Sequence, residues 1–218
     1  SWFLTLDWHE VNVDVKEGSF PPGKEIDGKN FSITGTLARN RLDPYLSYPK
    51  GDYMSLSVEQ GLGSLGGDWD YTKYWFEARY YWQLYDLFKD FLDREIGTED
   101  NPVIFATRLM IGYSTGDLPW AEQYFLGGAN SIRGYRDDEF YGNEMVLGNF
   151  ELRIPIQDAF SVVAFYDIGM ASDDSAFSNM KTGYGFGVRV RTPMGHLRLD
   201  VGTGEYETRT HFSFGEMF

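Results

Sequence analysis

The sequence predicts an all-β fold, a transmembrane antiparallel β-barrel of which about ten strands are present. Three observations predict this fold. Apolar and polar residues alternate with a period of two along much of the chain. The alternating segments run for about 9–13 residues, close to the roughly 9–11 that a tilted strand needs to cross a bilayer. Aromatic residues cluster at the ends of these segments, as in Tyr80-Tyr81-Trp82, and membrane–water interfaces favour such side chains.

The composition argues against several other classes of protein. Apolar residues make up 42% of the chain and aromatic residues 17%, which is too much apolar material for a disordered chain. The longest unbroken apolar run is Val162–Tyr166, whereas a transmembrane helix needs about 20 residues. Cysteine is absent, so the sequence predicts neither a disulfide nor a thiolate metal site. A net charge of −14 argues against nucleic acid as a partner.

The clearest alternation lies in the second half of the chain. Phe186 and Val188 alternate with glycine and arginine, so one face of this strand is apolar and the other carries charge or no side chain. We expect the apolar faces to contact lipid and the opposite faces to line the barrel lumen. Ten strands are predicted, at residues 2–15, 31–41, 52–61, 70–84, 103–113, 144–156, 160–171, 182–192, 196–204 and 209–218. We expect a bulge in the first strand near His9-Glu10 and one short amphipathic helix over residues 84–93.

The connections between the predicted strands differ in length. Gln157-Asp158 and Pro193-Met194-Gly195 are tight, as periplasmic turns are. Residues 16–30, 86–102 and 114–143 are long, and we expect them to be extracellular loops.

Residues 114–143 contain the most informative motif. Within them, Leu126–Tyr135 reads LGGANSIRGY. This segment resembles the loop of the bacterial surface antigen superfamily, which includes outer-membrane barrel-assembly insertases of the BamA and TamA types and two-partner-secretion translocases. In that family a Gly-Gly stretch precedes an Arg-Gly-aromatic tip. The matching positions are Gly127, Gly128, Ile132, Arg133, Gly134 and Tyr135, with Ile132 in place of the commoner valine.

Three later motifs resemble the same family and occur in the expected order. The aromatic-x-Asp-x-Gly strand motif is matched at Asp167 and Gly169. The late hairpin motif is matched at Gly185, Gly187, Arg189, Pro193 and Gly195. The last predicted strand resembles the C-terminal β-signal of outer-membrane proteins, at Phe212, Phe214, Gly215 and Phe218, and Glu216 departs from the apolar residue usual at its position. We expect its phenylalanines to share one face of that strand.

The motif also predicts how the long loop folds. Its glycines permit positive φ angles, so the loop can double back tightly. A partly dehydrated arginine needs a carboxylate partner, and Asp167 is a lone charge among apolar neighbours on its strand. In the family this arginine reaches this aspartate. We therefore expect residues 114–143 to fold into the lumen and Arg133 to pair with Asp167.

The resemblance implies a function. Family barrels have sixteen strands, so residues 1–218 would be the C-terminal portion of an outer-membrane β-barrel domain, with further strands and POTRA domains upstream. The expected function is non-enzymatic assembly and insertion of proteins in the bacterial outer membrane. It would act by templating strands at a lateral seam flanked by residues 209–218. The implied partners are the lipid bilayer, unfolded outer-membrane protein clients, and accessory lipoproteins or periplasmic chaperones. Neither a cofactor nor a metal is implied.

Four alternatives stay open on the sequence. A two-partner-secretion type translocation pore shares the motifs. A passive porin explains the alternation but not the Arg-Gly-Tyr loop. An outer-membrane hydrolase would need a constellation around a histidine, and His9, His196 and His211 fall on three separate strands. A soluble β-sandwich shows the same alternation, but the strand length and the phenylalanine-rich last strand argue against it.

Overall fold

The computed structural model describes residues 2–11, 27–43, 49–85, 97–99, 101–157, 159–173, 180–193, 195–215 and 217–218. The strands within them are β1 (Trp2–Val11), β2 (Gly28–Asn40), β3 (Gly51–Gly61), β4 (Tyr71–Leu84), β5 (Val103–Gly116), β6 (Tyr124–Leu126), β7 (Phe140–Gly142), β8 (Glu144–Gln157), β9 (Phe160–Ser172), β10 (Lys181–Thr192), β11 (Gly195–Thr203) and β12 (Thr208–Phe214). Ten of these strands form one antiparallel sheet in the order β1-β2-β3-β4-β5-β8-β9-β10-β11-β12. The short strands β6 and β7 pair only with each other.

The all-β prediction is confirmed, because each of the ten predicted strands corresponds to one strand of the large sheet. Most observed ends lie within three residues of the predicted ones. Residues 12–15, predicted to continue the first strand, lie outside the described residues. In the described part of the chain, β1 and β12 are the two edges of the sheet, so the sheet is not closed. None of the described segments forms a helix long and apolar enough to cross a membrane.

Of two expectations about local structure, one is wrong and the other falls mostly on residues that are not described. The predicted bulge near His9-Glu10 is wrong, because β1 pairs with β2 without a register shift from Trp2 to Val11. An irregularity occurs instead in β8, between Pro155 and Gln157, where proline cannot donate a hydrogen bond to the neighbouring strand. The predicted helix over residues 84–93 falls mostly outside the described residues.

The connection between β4 and β5 lies at the opposite end of the sheet from the one predicted. Strand β5 begins at the end where β8 finishes, since Ile104 pairs with Arg153. The chain therefore passes from β4 to β5 at the same end of the sheet where it passes from β8 to β9 and from β10 to β11. The expectation that residues 86–102 form an extracellular loop is wrong, because the order of antiparallel strands, and not loop length, decides which end a connection occupies.

The two faces of the sheet differ in chemistry. We call the face that carries residues 117–143 the inner face and the other the outer face. Large apolar side chains on the outer face are exposed, among them Leu37 at 65%, Phe186 at 74% and Leu199 at 43%. An apolar surface of this extent is unusual for a protein in water but is what a lipid-facing band requires. The outer face is therefore the lipid-facing side.

Aromatic clusters mark both ends of this apolar band. On β4 and β5, Tyr74 and Tyr113 stack at 6.3 Å near one end. Near the other end, the ring centroid of Trp82 lies 4.0 Å from that of Tyr80 and 5.7 Å from that of Phe105. Eight positions along a strand separate Tyr74 from Trp82, about 26 Å along the strand or roughly 20 Å along the membrane normal at the usual tilt. This spacing is close to the apolar band of about 25 Å that aromatic girdles flank in such barrels.

The last residues depart from the predicted strand. Strand β12 ends at Phe214, and Gly215 turns the chain with a φ of +91°. Phe212 and Phe214 lie on the outer face, 71% and 56% exposed, whereas Phe218 is only 4% exposed. Phe218 packs on the inner face, with its ring centroid 6.3 Å from that of Tyr81. The expectation that these phenylalanines share one face is therefore wrong for Phe218, because the left-handed conformation at Gly215 interrupts the alternation.

Spin labels are expected to distinguish the two faces. Labels at Phe186 and Leu199 should be accessible to oxygen dissolved in lipid, because both side chains are exposed on the outer face. Leu56 and Ser57 form a matched pair within β3, since Leu56 points outward and the Ser57 hydroxyl bonds with Thr36 on the inner face. Power-saturation electron paramagnetic resonance of the reconstituted protein measures how accessible each label is to oxygen dissolved in lipid. A label at position 57 that is as lipid-accessible as one at position 56 would contradict the orientation.

Candidate functional site

The segment between β5 and β8, residues 117–143, lies against the inner face of the sheet. We call it the lumenal loop. It contains a 3-10 turn at Trp120–Glu122 and the β6–β7 pair. Its apolar side chains pack against inner-face residues of β8 in a single buried cluster. The fully buried members of this cluster are Tyr124, Leu126, Ile132, Tyr135, Met145 and Leu147. The predicted inward fold of the loop is thus present, and burial of its apolar residues stabilises it.

Glycines in the loop adopt the backbone conformations that the sequence predicts for them. The φ angles are +118° at Gly127, +90° at Gly128 and +97° at Gly134. Side chains strongly disfavour these angles, so the turns depend on glycine. The Ser131 hydroxyl closes the first turn, because it accepts a bond from the Gly127 N–H at 2.6 Å and lies 2.7 Å from the Gly127 carbonyl oxygen.

Arg133 at the tip of the loop forms the predicted pair with Asp167 on β9. The guanidinium donates from Nε to Oδ2 and from Nη2 to Oδ1, both at 2.8 Å. The backbone N–H of Arg133 donates to the same carboxylate at 3.1 Å. Both side chains are 0% exposed. This two-pronged geometry matches the fork of an arginine to the two oxygens of one carboxylate, which a lysine cannot reproduce.

Two further carboxylates bind the same guanidinium. Glu151 on β8 accepts from Arg133 Nη1 at 2.6 Å, and Asp200 on β11 lies 3.5 Å from that nitrogen. The ring of Phe165, on β9, lies beneath the guanidinium, with 3.5 Å between its centroid and Cζ of Arg133. The tip of the loop therefore contacts β8, β9 and β11 through one side chain.

A second layer of hydrogen bonds orients Asp167. The Asn149 side chain donates to Asp167 Oδ1 at 2.7 Å and to the Ser131 carbonyl at 2.6 Å. Arg108 on β5 donates from Nη2 to Asn149 at 2.8 Å and to the Asn130 carbonyl at 2.6 Å. The loop backbone and the carboxylate that it needs are thus held by the same buried side chains.

The glycines of the late hairpin motif make room for this network. A Cβ atom at Gly185 would lie 2.8 Å from the ring of Phe165, and one at Gly187 would overlap the carboxylate of Asp200. Arg189, on the same strand, binds Asp200 at 2.5 Å and Glu151 at 3.1 Å, which are two of the carboxylates around Arg133. The motif residues at 185, 187 and 189 therefore support the binding of Arg133.

The buried charges of the inner face are nearly balanced. Among the described residues, five buried arginines face four buried carboxylates, although the whole chain has a net charge of −14. Burial alone would lower the pKa of Arg133, but Asp167, Glu151 and Asp200 raise it above the ordinary arginine value. The guanidinium therefore stays charged at any physiological pH.

A second attachment site holds the beginning of the loop. The Tyr124 hydroxyl lies 2.6 Å from the Tyr74 carbonyl oxygen, and its ring covers Gly112, where a Cβ atom would lie 2.5 Å from the ring. Glu122 accepts from Asn30 on β2 at 3.3 Å. The loop is therefore attached to strands β2, β4 and β5 at one end and to β8–β11 at its tip.

The sequence analysis missed several members of this site. Glu151, Asn149 and Asp200 alternate with apolar residues along their strands, but their contacts with Arg133 or Asp167 depend on strand register, which alternation does not reveal. Gly169, by contrast, was singled out by the motif and leaves room for Ile132, whose Cδ1 would lie 3.2 Å from a Cβ there. Other predicted residues lie away from the site. These are Pro193 and Gly195 in the tight turn, Phe212 and Phe214 on the outer face, and Gly215 beyond β12. Phe218, by contrast, lies beside the network, because its ring centroid is 5.2 Å from the guanidinium carbon of Arg108.

The geometry of the site is that of a fixed attachment between the loop and the wall of the barrel. Arg133 and Arg189 pair with Asp167, Glu151 and Asp200, whereas Arg108 bonds to Asn149 and to backbone carbonyls. In the described parts of the chain, no group of three or more His, Cys, Asp or Glu residues is placed to hold a metal ion.

Substitution of Arg133 is expected to cost more stability than substitution of Asp167. Arg133→Ala strands a buried carboxylate and should cost about 3–5 kcal/mol. Asp167→Ala leaves the arginine its bonds to Glu151 and should cost about 1.5–3 kcal/mol. The double variant should be less destabilised than the sum of the two single variants, by about 0.5–3 kcal/mol, because both substitutions remove the same interaction between Arg133 and Asp167. Urea unfolding followed by tryptophan fluorescence measures these values, and strictly additive effects would contradict the pairing.

Comparison with known proteins identifies the family. A sequence profile of the Omp85 superfamily domain matches residues 6–218. The outer membrane protein assembly factor BamA of Nitratidesulfovibrio vulgaris is 30% identical across the whole chain, which covers 29% of that protein. The chloroplastic outer envelope protein 80 of Arabidopsis thaliana is 34% identical over 55% of the chain and 18% of that protein. The chain thus spans less than a third of the length of either relative.

Two solved structures share the fold. BamA from Haemophilus ducreyi lacking POTRA domains 1–3 superposes with a TM-score of 0.65 at 16% identity, covering 91% of this chain and 44% of that one. CdiB from Acinetobacter baumannii superposes with a TM-score of 0.56 at 16% identity, covering 85% of this chain and 32% of that one. The profile match, the lipid-facing outer surface and the lumenal loop together show that the chain belongs to the Omp85 superfamily and is part of a bacterial outer-membrane β-barrel.

Proposed function

We propose that the protein containing this chain assembles and inserts outer-membrane proteins. The observation that carries the proposal is the family membership together with 30% identity to an assembly factor across the whole chain. The proposed mechanism is non-enzymatic. Strand β12 would form one side of a lateral seam and pair with an incoming strand of a client, because an unpaired strand edge is a template for another strand.

Two features of β12 support this role. It is an edge of the described sheet, which is the position that a seam strand would occupy. It is also short at seven residues and pairs only with β11 among the described strands. A short strand with one neighbour is held by few hydrogen bonds. Such a strand opens more readily than a central strand, which favours its pairing with a client strand.

The lumenal loop argues against a passive porin. A porin lumen is an open aqueous channel, whereas this loop packs a buried apolar cluster and a buried ion-pair network against the inner face. Secretion of a client through the lumen is the second candidate, because Omp85 barrels and the CdiB barrel share the fold. The two candidates differ in where the client ends, embedded in the bilayer or released across it.

The proposed partners follow from the function. They are the lipid bilayer, unfolded outer-membrane protein clients, and accessory lipoproteins or periplasmic chaperones. The remaining strands that would close the barrel, and POTRA domains, are proposed to lie upstream of these residues in the whole protein. Phe212, Phe214, Gly215 and Phe218 are proposed to act as the protein's own assembly signal.

Cysteine cross-linking to a client is expected to identify β12 as the seam strand. The whole protein is reconstituted in liposomes and offered a urea-unfolded outer-membrane barrel that carries one cysteine in its last strand. A cysteine at Phe212 on β12 should form a disulfide with the client during insertion. The matched control is a cysteine at Leu109, which is also exposed on the outer face but lies on β5, between two paired neighbours.

Heat-modifiable migration of the client on gels reports insertion in the same reactions. Insertion with cross-linking at position 212 and not at 109 is the expected result. Client recovered inside the liposome lumen would favour secretion instead. Insertion without any preference for position 212 would contradict the strand-templating mechanism.

A further inference from the structure

The tip of the lumenal loop also contacts the edge strand. The backbone N–H of Gly134 donates to Nε2 of His211, on β12, at 3.1 Å. Arg133, the neighbouring residue, binds carboxylates on β8, β9 and β11 but none on β12. The contact at His211 therefore extends the attachment of the loop tip by one strand, to β12, which is an edge strand of the described sheet.

Close backbone packing brings the tip within reach of His211. A Cβ atom at Gly134 would lie 2.5 Å from the backbone nitrogen of Gly204, and one at Gly202 would lie 2.8 Å from the backbone nitrogen of Gly134. The tip therefore lies directly on the backbone at the end of β11, which a larger residue at either position would prevent. In the neighbouring strand, His211 faces the same side as its pairing partner Asp200.

We propose that His211 is a positioning residue that couples the loop tip to β12 and so sets the orientation of the strand at the proposed seam. The inference rests on the proposed function only for the consequence at the seam. The coupling itself rests on the hydrogen bond and on the packing of Gly134. It gives the conformation of the loop a direct route to the one edge that a client would meet.

The coupling depends on the protonation of the imidazole. A ring nitrogen accepts a hydrogen bond only when it carries no proton, so Nε2 is the acceptor in the neutral ring and Nδ1 carries the hydrogen. A doubly protonated ring has no acceptor, and it would face the backbone N–H of Gly134 with a second donor. The charged groups around this ring are Asp137, Asp200, Arg133 and Arg209. The bond between loop and edge strand is therefore present at neutral pH and lost on acidification.

Distance measurements between the loop and the edge strand test the coupling. Spin labels are placed at Arg136, exposed in the loop, and at Thr210, exposed on the outer face of β12. His211→Ala should make the distance distribution about twofold wider, because β12 then loses its direct hydrogen bond to the loop tip. His211→Gln should leave it narrow, because the amide oxygen can accept the same bond. Ser213→Ala is the matched control, on the same face of β12, where the hydroxyl has no hydrogen-bond partner.

A pH step tests the same coupling without any substitution at His211. Between pH 8 and pH 5 the distribution should widen in the otherwise unaltered protein and stay narrow in His211→Gln. Equal widths in His211→Ala and Ser213→Ala, or an equal response of His211→Gln to acid, would overturn the proposal. Heat-modifiable migration confirms that each variant is folded.

Client cross-linking at position 212 separates this proposal from the proposed function. If His211→Ala widens the distance distribution and also lowers cross-linking, the coupling acts at the seam. If the distribution widens and cross-linking and insertion are unchanged, the loop and β12 are coupled but the coupling does not act at the seam. The proposed use of β12 as the templating strand fails separately, if the otherwise unaltered protein inserts clients without a preference for cross-linking at position 212.

Discussion

The buried ion pairs of Arg133 determine how the rest of the inner face is built. A guanidinium that is 0% exposed is stable there only because Asp167, Glu151 and Asp200 surround it. Those carboxylates lie on three different strands, so the arginine fixes the relative register of β8, β9 and β11 at one point. The loop that carries it must then cross the inner face, and its apolar residues are buried as a consequence.

Small residues in the wall are the second consequence. Gly183 and Gly202 lie beneath the tip, where a Cβ atom would overlap the carbonyl of Arg133 or crowd its Cβ. Glycine weakens a strand because it adds backbone entropy and removes side-chain packing. On β10 and β11 the glycines beneath the loop tip face inward, and bulky side chains of the same strands, such as Phe186 and Leu199, face lipid. The same alternation therefore supplies both the apolar belt and the space for the loop.

Alternation in the sequence was sufficient for the fold class and the strands, and the resemblance to the family implied the pairing of Arg133 with Asp167. Alternation reports which side chains share a face, and the Arg-Gly-Tyr motif supplied the partner. It could not supply Glu151 or Asp200, because a contact across strands depends on register, and a shift of two residues preserves the alternation while changing every partner. Phe218 was misplaced for a different reason. Gly215 is compatible both with a continued strand and with a left-handed turn, so a pattern of alternating phenylalanines does not decide between them.

Backbone hydrogen exchange at the tip of the lumenal loop tests most directly whether the network holds the loop on the wall. The amides of Gly127, Arg133 and Gly134 donate to Ser131, Asp167 and His211, respectively. In the reconstituted whole protein these three amides should exchange as slowly as those in the middle of β8 and β9, because they open only when the loop detaches. Exchange at the rate of an unprotected surface loop, with β8 and β9 still protected, would contradict a docked lumenal loop.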